Sequence, residues 1–140
     1  MANVFDFKEM DKFTKDILAM ANDQLPKESK KFLRKEGTAL KRLVIKTAKT
    51  IVGKKTGNYM EGFKRGKAYK YKGSLAIRVY NSSPHAHLVE NGHRQITKDG
   101  EETGYFVHGY HVVDKASKQF ENKYFNDSEK FIEENISKLF

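Results

Sequence analysis

The sequence predicts an α+β fold in which long N-terminal amphipathic helices and a C-terminal helix pack on one face of a small antiparallel sheet. Three observations carry that expectation. Apolar residues recur every three or four positions up to about Val52 and again from Val113 onward, a helical period. Between them the chain alternates apolar and polar residues and is broken by glycines, as strands and turns are. The order helix, helix, strands, helix segregates helices from strands and lacks the βαβ alternation of a parallel sheet. With 140 residues, no internal repeat and no linker, the chain reads as a single domain, 1–140.

Residues 1–26 form the first helical segment, with Met10, Phe13, Ile17 and Met20/Ala21 at helical spacing. Pro26 ends this segment or begins the next, since proline is tolerated in a first helical turn. Residues 27–53 form a long basic helix. Its apolar stripe runs Phe32/Leu33, Leu40, Leu43/Val44, Thr47/Ala48, Ile51, and Lys35, Arg42, Lys46 and Lys49 fall on the opposite face. Gly37 lies inside it at a cost of about 1 kcal/mol relative to alanine, so a bend or break is expected there. Gly53 is the expected C-terminus.

Residues 54–112 hold the sheet. Lys54–Tyr59 is a turn, and "MEGFKRGKAYKYKGSLAIRVYNSS" reads as two strands joined near Lys72–Gly73, with Leu75, Ile77 and Val79 on one side. Pro84 disfavours further ladder pairing and opens a short helical turn that Gly92 closes. Residues 94–104 are polar and aperiodic and are expected to be a mobile loop, after which "YFVHGYHVV" returns as a strand. The last helix, 113–140, carries Ala116, Phe120, Tyr124, Phe131/Ile132, Ile136 and Leu139, with a second cap expected at Asn126–Asp127–Ser128.

Charge is distributed unevenly. Residues 1–72 contain 19 Lys/Arg against 8 Asp/Glu, whereas residues 73–140 contain 8 against 10. Between Arg34 and Lys72, 13 basic residues face only Glu36 and Glu61, a field that suits nucleic acid or an acidic protein surface as well as plain solvation. The chain has no cysteine, which excludes disulfides and thiolate catalysis and suits a reducing compartment. The N-terminus lacks the pattern of a signal peptide, and no run approaches the roughly 20 apolar residues that span a bilayer. We therefore expect a soluble intracellular product with no membrane partner.

All five histidines lie between His85 and His111, three of them in "SPHAHLVENGHR" beside Glu90. His87, Glu90, His93 and His111 could converge on a metal if the intervening loop folded back. Their spacing does not require it, because neither histidine pair has the helical four-residue interval around a glutamate. Acids for general acid–base work would have to come from Glu90 with Asp99, Glu101 and Glu102, which read as solvated. No nucleophile elbow is present. The expectation is a non-enzyme with no cofactor and no metal site. The alternatives are a nucleic-acid-binding module using the basic helix and, remotely, a His-ligated metal hydrolase.

"TGNYMEGFK", "PHAHLVENGH" and "GYFVHGYHVVDKASKQF" follow the basic helix in that order. This arrangement resembles the small neck or tail-completion proteins of long-tailed bacteriophages, the family named for the tenth gene product of a lambdoid phage. Thr56 and Gly57 match its turn after the long helix. Ala86, Val89, Glu90 and Gly92 match its central segment, with His85 where tyrosine is usual. Phe106 or Tyr110–Val113, with Ala116, approximate the segment leading into the last helix, although no proline precedes Phe106. The resemblance implies a virion protein of the head–tail junction, made in the host cytoplasm and joining a homo-oligomeric ring. It implies docking to other neck, connector or tail-terminator proteins, and the basic face adds weak, non-specific DNA contact as an expectation. Glu90, an acid in an apolar turn, needs a partner if buried: a backbone amide, Arg94 or a basic residue of a neighbour.

Overall fold

Pro26 sets the shape of the N-terminal half. The computed structural model describes residues 7–52 and 57–138. Helix α1 (Phe7–Ala19) runs into a π-helical turn (Met20–Gln24) and then into α2 (Leu25–Ile51), with Ala19 and Leu25 both in helical conformation. Pro26 thus begins the long helix without interrupting the chain's helical course. Proline lacks an N–H and crowds the carbonyl four residues back, and the wider π turn just before it lies where that strain falls. Helix α2 is 27 residues long, about 40 Å at 1.5 Å per residue.

Helix α2 runs through Gly37 without a break. Gly37 is buried, and a Cβ there would stand 3.1 Å from the Arg65 side chain and 3.3 Å from Ile77. The glycine serves close packing of the strands on an unbroken helix. Thr56 and Gly53 lie outside the described residues, and Gly57 opens the short helix α3 (Gly57–Glu61).

The single small sheet of the sequence reading is instead three two-stranded antiparallel ladders. Strand β1 (Phe63–Arg65) pairs with β4 (Val79–Asn81), and β2 (Tyr69–Tyr71) with β3 (Ser74–Ala76), so the expected two strands form one long hairpin with an interrupted ladder. The Gly66 N–H donates to the Arg78 carbonyl at 2.8 Å across the interruption. At the tip, Lys72 (φ 48) and Gly73 (φ 82) are both left-handed, as a two-residue turn matched to strand twist requires. Asn81 locks the base: its Nδ2 donates to the Tyr59 carbonyl at 2.8 Å, and its Oδ1 accepts from the Ser83 N–H.

Helix α4 (Ala86–Asn91) follows, then a second hairpin of β5 (Gly92–Ile96) and β6 (Glu102–His108). Much of the expected loop 94–104 is therefore ladder, and only residues 97–101 form the turn. Polar side chains support that ladder, since Thr103 Oγ1 donates to Gln95 Oε1 at 3.0 Å. The Thr97 N–H donates to the Glu101 carbonyl at 2.8 Å.

Helix α5 (Val112–Ser137) runs antiparallel along α2: Lys123 lies near Glu36, and Phe131 stacks on Phe32 with centroids 4.6 Å apart. It runs unbroken through Asn126–Asp127–Ser128, and Asp127 pairs with Lys123 one turn earlier. Val44 and Ala48 of α2, Tyr59, Phe63, Val112 and Ala116 form the core. Ile132 and Ile136, expected on the apolar stripe, are 54% and 50% exposed. Nearby, at the start of α2, Gln24 and Lys27 share a groove with Lys138, so the end of α5 meets polar side chains.

Phe63→Ala is expected to lower unfolding free energy by about 3–5 kcal/mol, because Phe63 is 2% exposed in this core. Phe125→Ala, at 63% exposure, is expected to stay within about 0.5 kcal/mol of the parent. Urea titration followed by circular dichroism compares the two.

Candidate functional site

Helix α5 starts without a cap of its own. Its N-cap residue, His111, is left-handed (φ 50) and offers no side-chain hydrogen bond to the first turn. Glu90 of α4 supplies one. The Val113 N–H donates to both carboxylate oxygens of Glu90 at 2.9 and 3.0 Å, and the Asp114 N–H donates at 3.2 Å. These amides occupy the second and third helical positions, where a capping side chain acts, and the negative charge also faces the positive end of the helix dipole. Of the partners considered for Glu90, backbone amides are the ones found. Arg94 pairs with Glu102 at 3.0 Å instead.

The same joint is closed by backbone. The Tyr110 N–H donates to the Val89 carbonyl at 2.8 Å, and the His111 N–H to the Glu90 carbonyl at 3.1 Å. Such contact demands glycine. A Cβ on Gly109 would stand 2.2 Å from the Glu90 carbonyl oxygen, and one on Gly92 (φ 86) 2.4 Å from that of Val107. Ala86 and Val89 are half-buried against the core, and Ala116 is fully buried one turn into α5. Burial, with Glu90's charge adding, pushes the Tyr59 hydroxyl up to about 12.

From this joint the β5–β6 hairpin projects. Every residue of β6 is exposed, including Tyr105 at 74% and Phe106 at 52%; Ile96 on β5 is 59% exposed. Its turn carries Asp99 and Glu101 against Lys98, and Glu102 follows at the start of β6. On α2, Lys35, Arg42, Lys46 and Lys49 are all exposed, and among the described residues none of the four forms an ion pair.

Sequence reading missed the one charged side chain of α2 that is buried. Glu36 is 4% exposed, and one of its oxygens has no hydrogen-bond partner. Lys123 Nζ is 3.7 Å from it. Desolvation first, then the adjoining Asp127 carboxylate, push the Glu36 carboxyl up to about 7 against the pull of Lys123. The signal lay in the register, because Glu36 and Gly37 fill the gap in the apolar stripe between Phe32/Leu33 and Leu40. On one side of Glu36 lies an apolar groove of about 390 Å³ walled by Leu33, Leu40, Ile77, Phe120 and Tyr124.

The histidines do not converge. All five are exposed; His93 Nδ1 lies 3.0 Å from the Arg94 carbonyl, and His108 meets the Phe106 ring edge-on. Among the described residues no three His, Asp or Glu side chains form a group that could hold a metal, and no helix is long and apolar enough to cross a membrane.

The family model described as "Bacteriophage HK97-gp10, putative tail-component" matches residues 10–92, more than half the chain. The protein belongs to that family, a family of phage structural proteins. No curated protein and no solved structure matches it.

Two outcomes are expected from these geometries. Glu90→Ala, which strips the cap from α5, should cost about 1–3 kcal/mol, while Glu101→Ala in the exposed turn should cost less than about 0.5 kcal/mol. Thermal unfolding of the two variants decides between a cap and a merely exposed acid. For Glu36 the folded protein holds a proton up to about pH 7, whereas the unfolded chain releases it near the ordinary 4.5. Its contribution is therefore greatest at low pH and is lost as pH rises toward 7. Glu36→Gln should gain about 1–3 kcal/mol over the parent near pH 8 and nothing near pH 4, as measured by denaturant titration at both values.

Proposed function

We propose that the protein is a non-enzymatic component of the head–tail junction of a long-tailed phage, joining a ring there and docking to neck, connector or tail proteins. The observation that carries this reading is the family match over residues 10–92, whose description is a tail component. Two features of the fold support it. The β5–β6 hairpin is pinned at its base by Glu90 yet covered by nothing along β6, and exposed two-stranded hairpins are marginal without a neighbour. Lys35, Arg42, Lys46 and Lys49 of α2 form a second surface with no ion-pair partner among the described residues. Thr56, Gly57, Ala86, Val89, Glu90, Gly92 and Ala116 then act by holding turn and joint in shape. Lys35, Arg42, Lys46 and Lys49 meet the partner.

Those unpaired cations also favour a second contact, weak and non-specific, with the phosphates of a genome passing through the junction. A phage encoding the chain with Lys35, Arg42, Lys46 and Lys49 all changed to glutamate should keep the fold but accumulate separate heads and tails. Electron microscopy and plaque titre read this directly. Wild-type titre with the four-fold variant would reduce the basic face to a solubilising surface. Virions of the parent phage that lack the protein would sink the junction reading itself.

A further inference from the structure

We propose that the acidic turn of the β5–β6 hairpin docks onto the basic face of α2 in a second copy of this chain, head to tail. This deepens the junction reading, on which it rests for its place in the particle. The turn and the first residue of β6, residues 97–102, hold three acids against one lysine, and Asp99 and Glu101 are exposed and outside the Arg94–Glu102 ion pair. On α2, Lys35, Arg42, Lys46 and Lys49 recur at intervals of seven, four and three, which places them on one face of the helix. No ion pair links the turn to this face within the chain.

Charge decides the geometry. Turn against turn is acid against acid, and face against face is base against base, so a two-fold arrangement of either surface is repelled. Turn to face is the attractive pairing, and made once per pair, head to tail, it leaves one free turn and one free face on every dimer. Such a heterologous contact continues until it closes a ring or grows as a filament. With a net charge of +9, two copies repel as wholes, so a local match of opposite sign is what brings them together. The exposed Ile96, Tyr105 and Phe106 beside the turn supply apolar surface for the contact to bury. The hydrogen bonds at Glu90, Tyr110 and His111 hold the hairpin's base, so little conformational freedom is lost on docking.

Charge exchange tests this on the purified full-length chain. The parent should self-associate in sedimentation velocity at low salt and up to about 1 mM protein, and lose at least about tenfold in association when salt reaches 1 M, where the Debye length is about 3 Å. Asp99→Lys/Glu101→Lys and Arg42→Glu/Lys46→Glu alter only exposed side chains and should keep the parent's circular dichroism, yet each alone should be monomeric. Their equimolar mixture should associate again, because the acidic turn of one variant meets the intact basic face of the other. A parent that stays monomeric throughout overturns the proposal. So does a mixture that stays monomeric, or assembly unaffected by either exchange. If the face exchange abolishes heparin and duplex-DNA binding while self-association is untouched, the face belongs to nucleic acid and the proposal fails. Failure in solution leaves the junction reading standing, whereas absence from virions removes that reading without touching a contact that charge exchange restores.

Discussion

The carboxylate of Glu90 at the start of α5 is the contact on which the rest of the arrangement depends. A helix of 26 residues begins with several amides that have no partner inside the helix, and here the residue at its head, His111, gives no side-chain cap. An acid from another element takes that role, so starting the helix and docking α4 become one event. The same stretch of chain carries the backbone bonds from Tyr110 and His111, which fix where the β5–β6 hairpin leaves the body. Three elements therefore take their positions from a span of a few residues. The glycines at 92 and 109 are there because the backbones approach more closely than any Cβ allows.

Around that joint, α2 acts as a spine with two unlike sides. Its inner side contributes Val44 and Ala48 to the core, and Gly37 where the Arg65 and Ile77 side chains come close. On its outer side Lys35, Arg42, Lys46 and Lys49 form no ion pair among the described residues. Glu36 is the exception on the inner side. Burying it against Lys123 and Asp127 ties α2 to α5, but at neutral pH the site is balanced between a desolvated charge and a shared proton. Ion pairs in such positions add little net stability and instead restrict which packing is allowed. Here the pair and the Phe32–Phe131 stack both join the two long helices.

Surface chemistry separates along the chain in the same way. Core-forming apolar residues gather near α3, β1 and the first turns of α5, while large apolar side chains at the far end of α5 and along β6 remain in water. A monomer gains nothing from exposing Tyr105 and Phe106 on a hairpin that its own body does not cover. The family to which the chain belongs is one of phage structural proteins.

The sequence by itself determined the long helices, the hairpin turn at Lys72–Gly73, the α4 turn closed by Gly92, and the exposed row of cations on α2. Each is a local property: periodicity, a glycine or a charge repeat within one element. The family was legible too, from short motifs in a fixed order. What only the tertiary structure decided were the partners. Glu90 could have met an amide, Arg94 or a neighbour, and the amides of Val113 and Asp114 became its partners because the path of residues 92–111 returns the chain beside α4. Glu36 and Gly37 passed as a flaw in a stripe until the strands and α5 closed over them. Residues 94–104 read as a loop because their polar side chains hide the alternation of a strand, and their ladder is held by cross-strand hydrogen bonds between residues that no local rule pairs. Pairing across the chain depends on where distant segments meet, and local composition does not encode it.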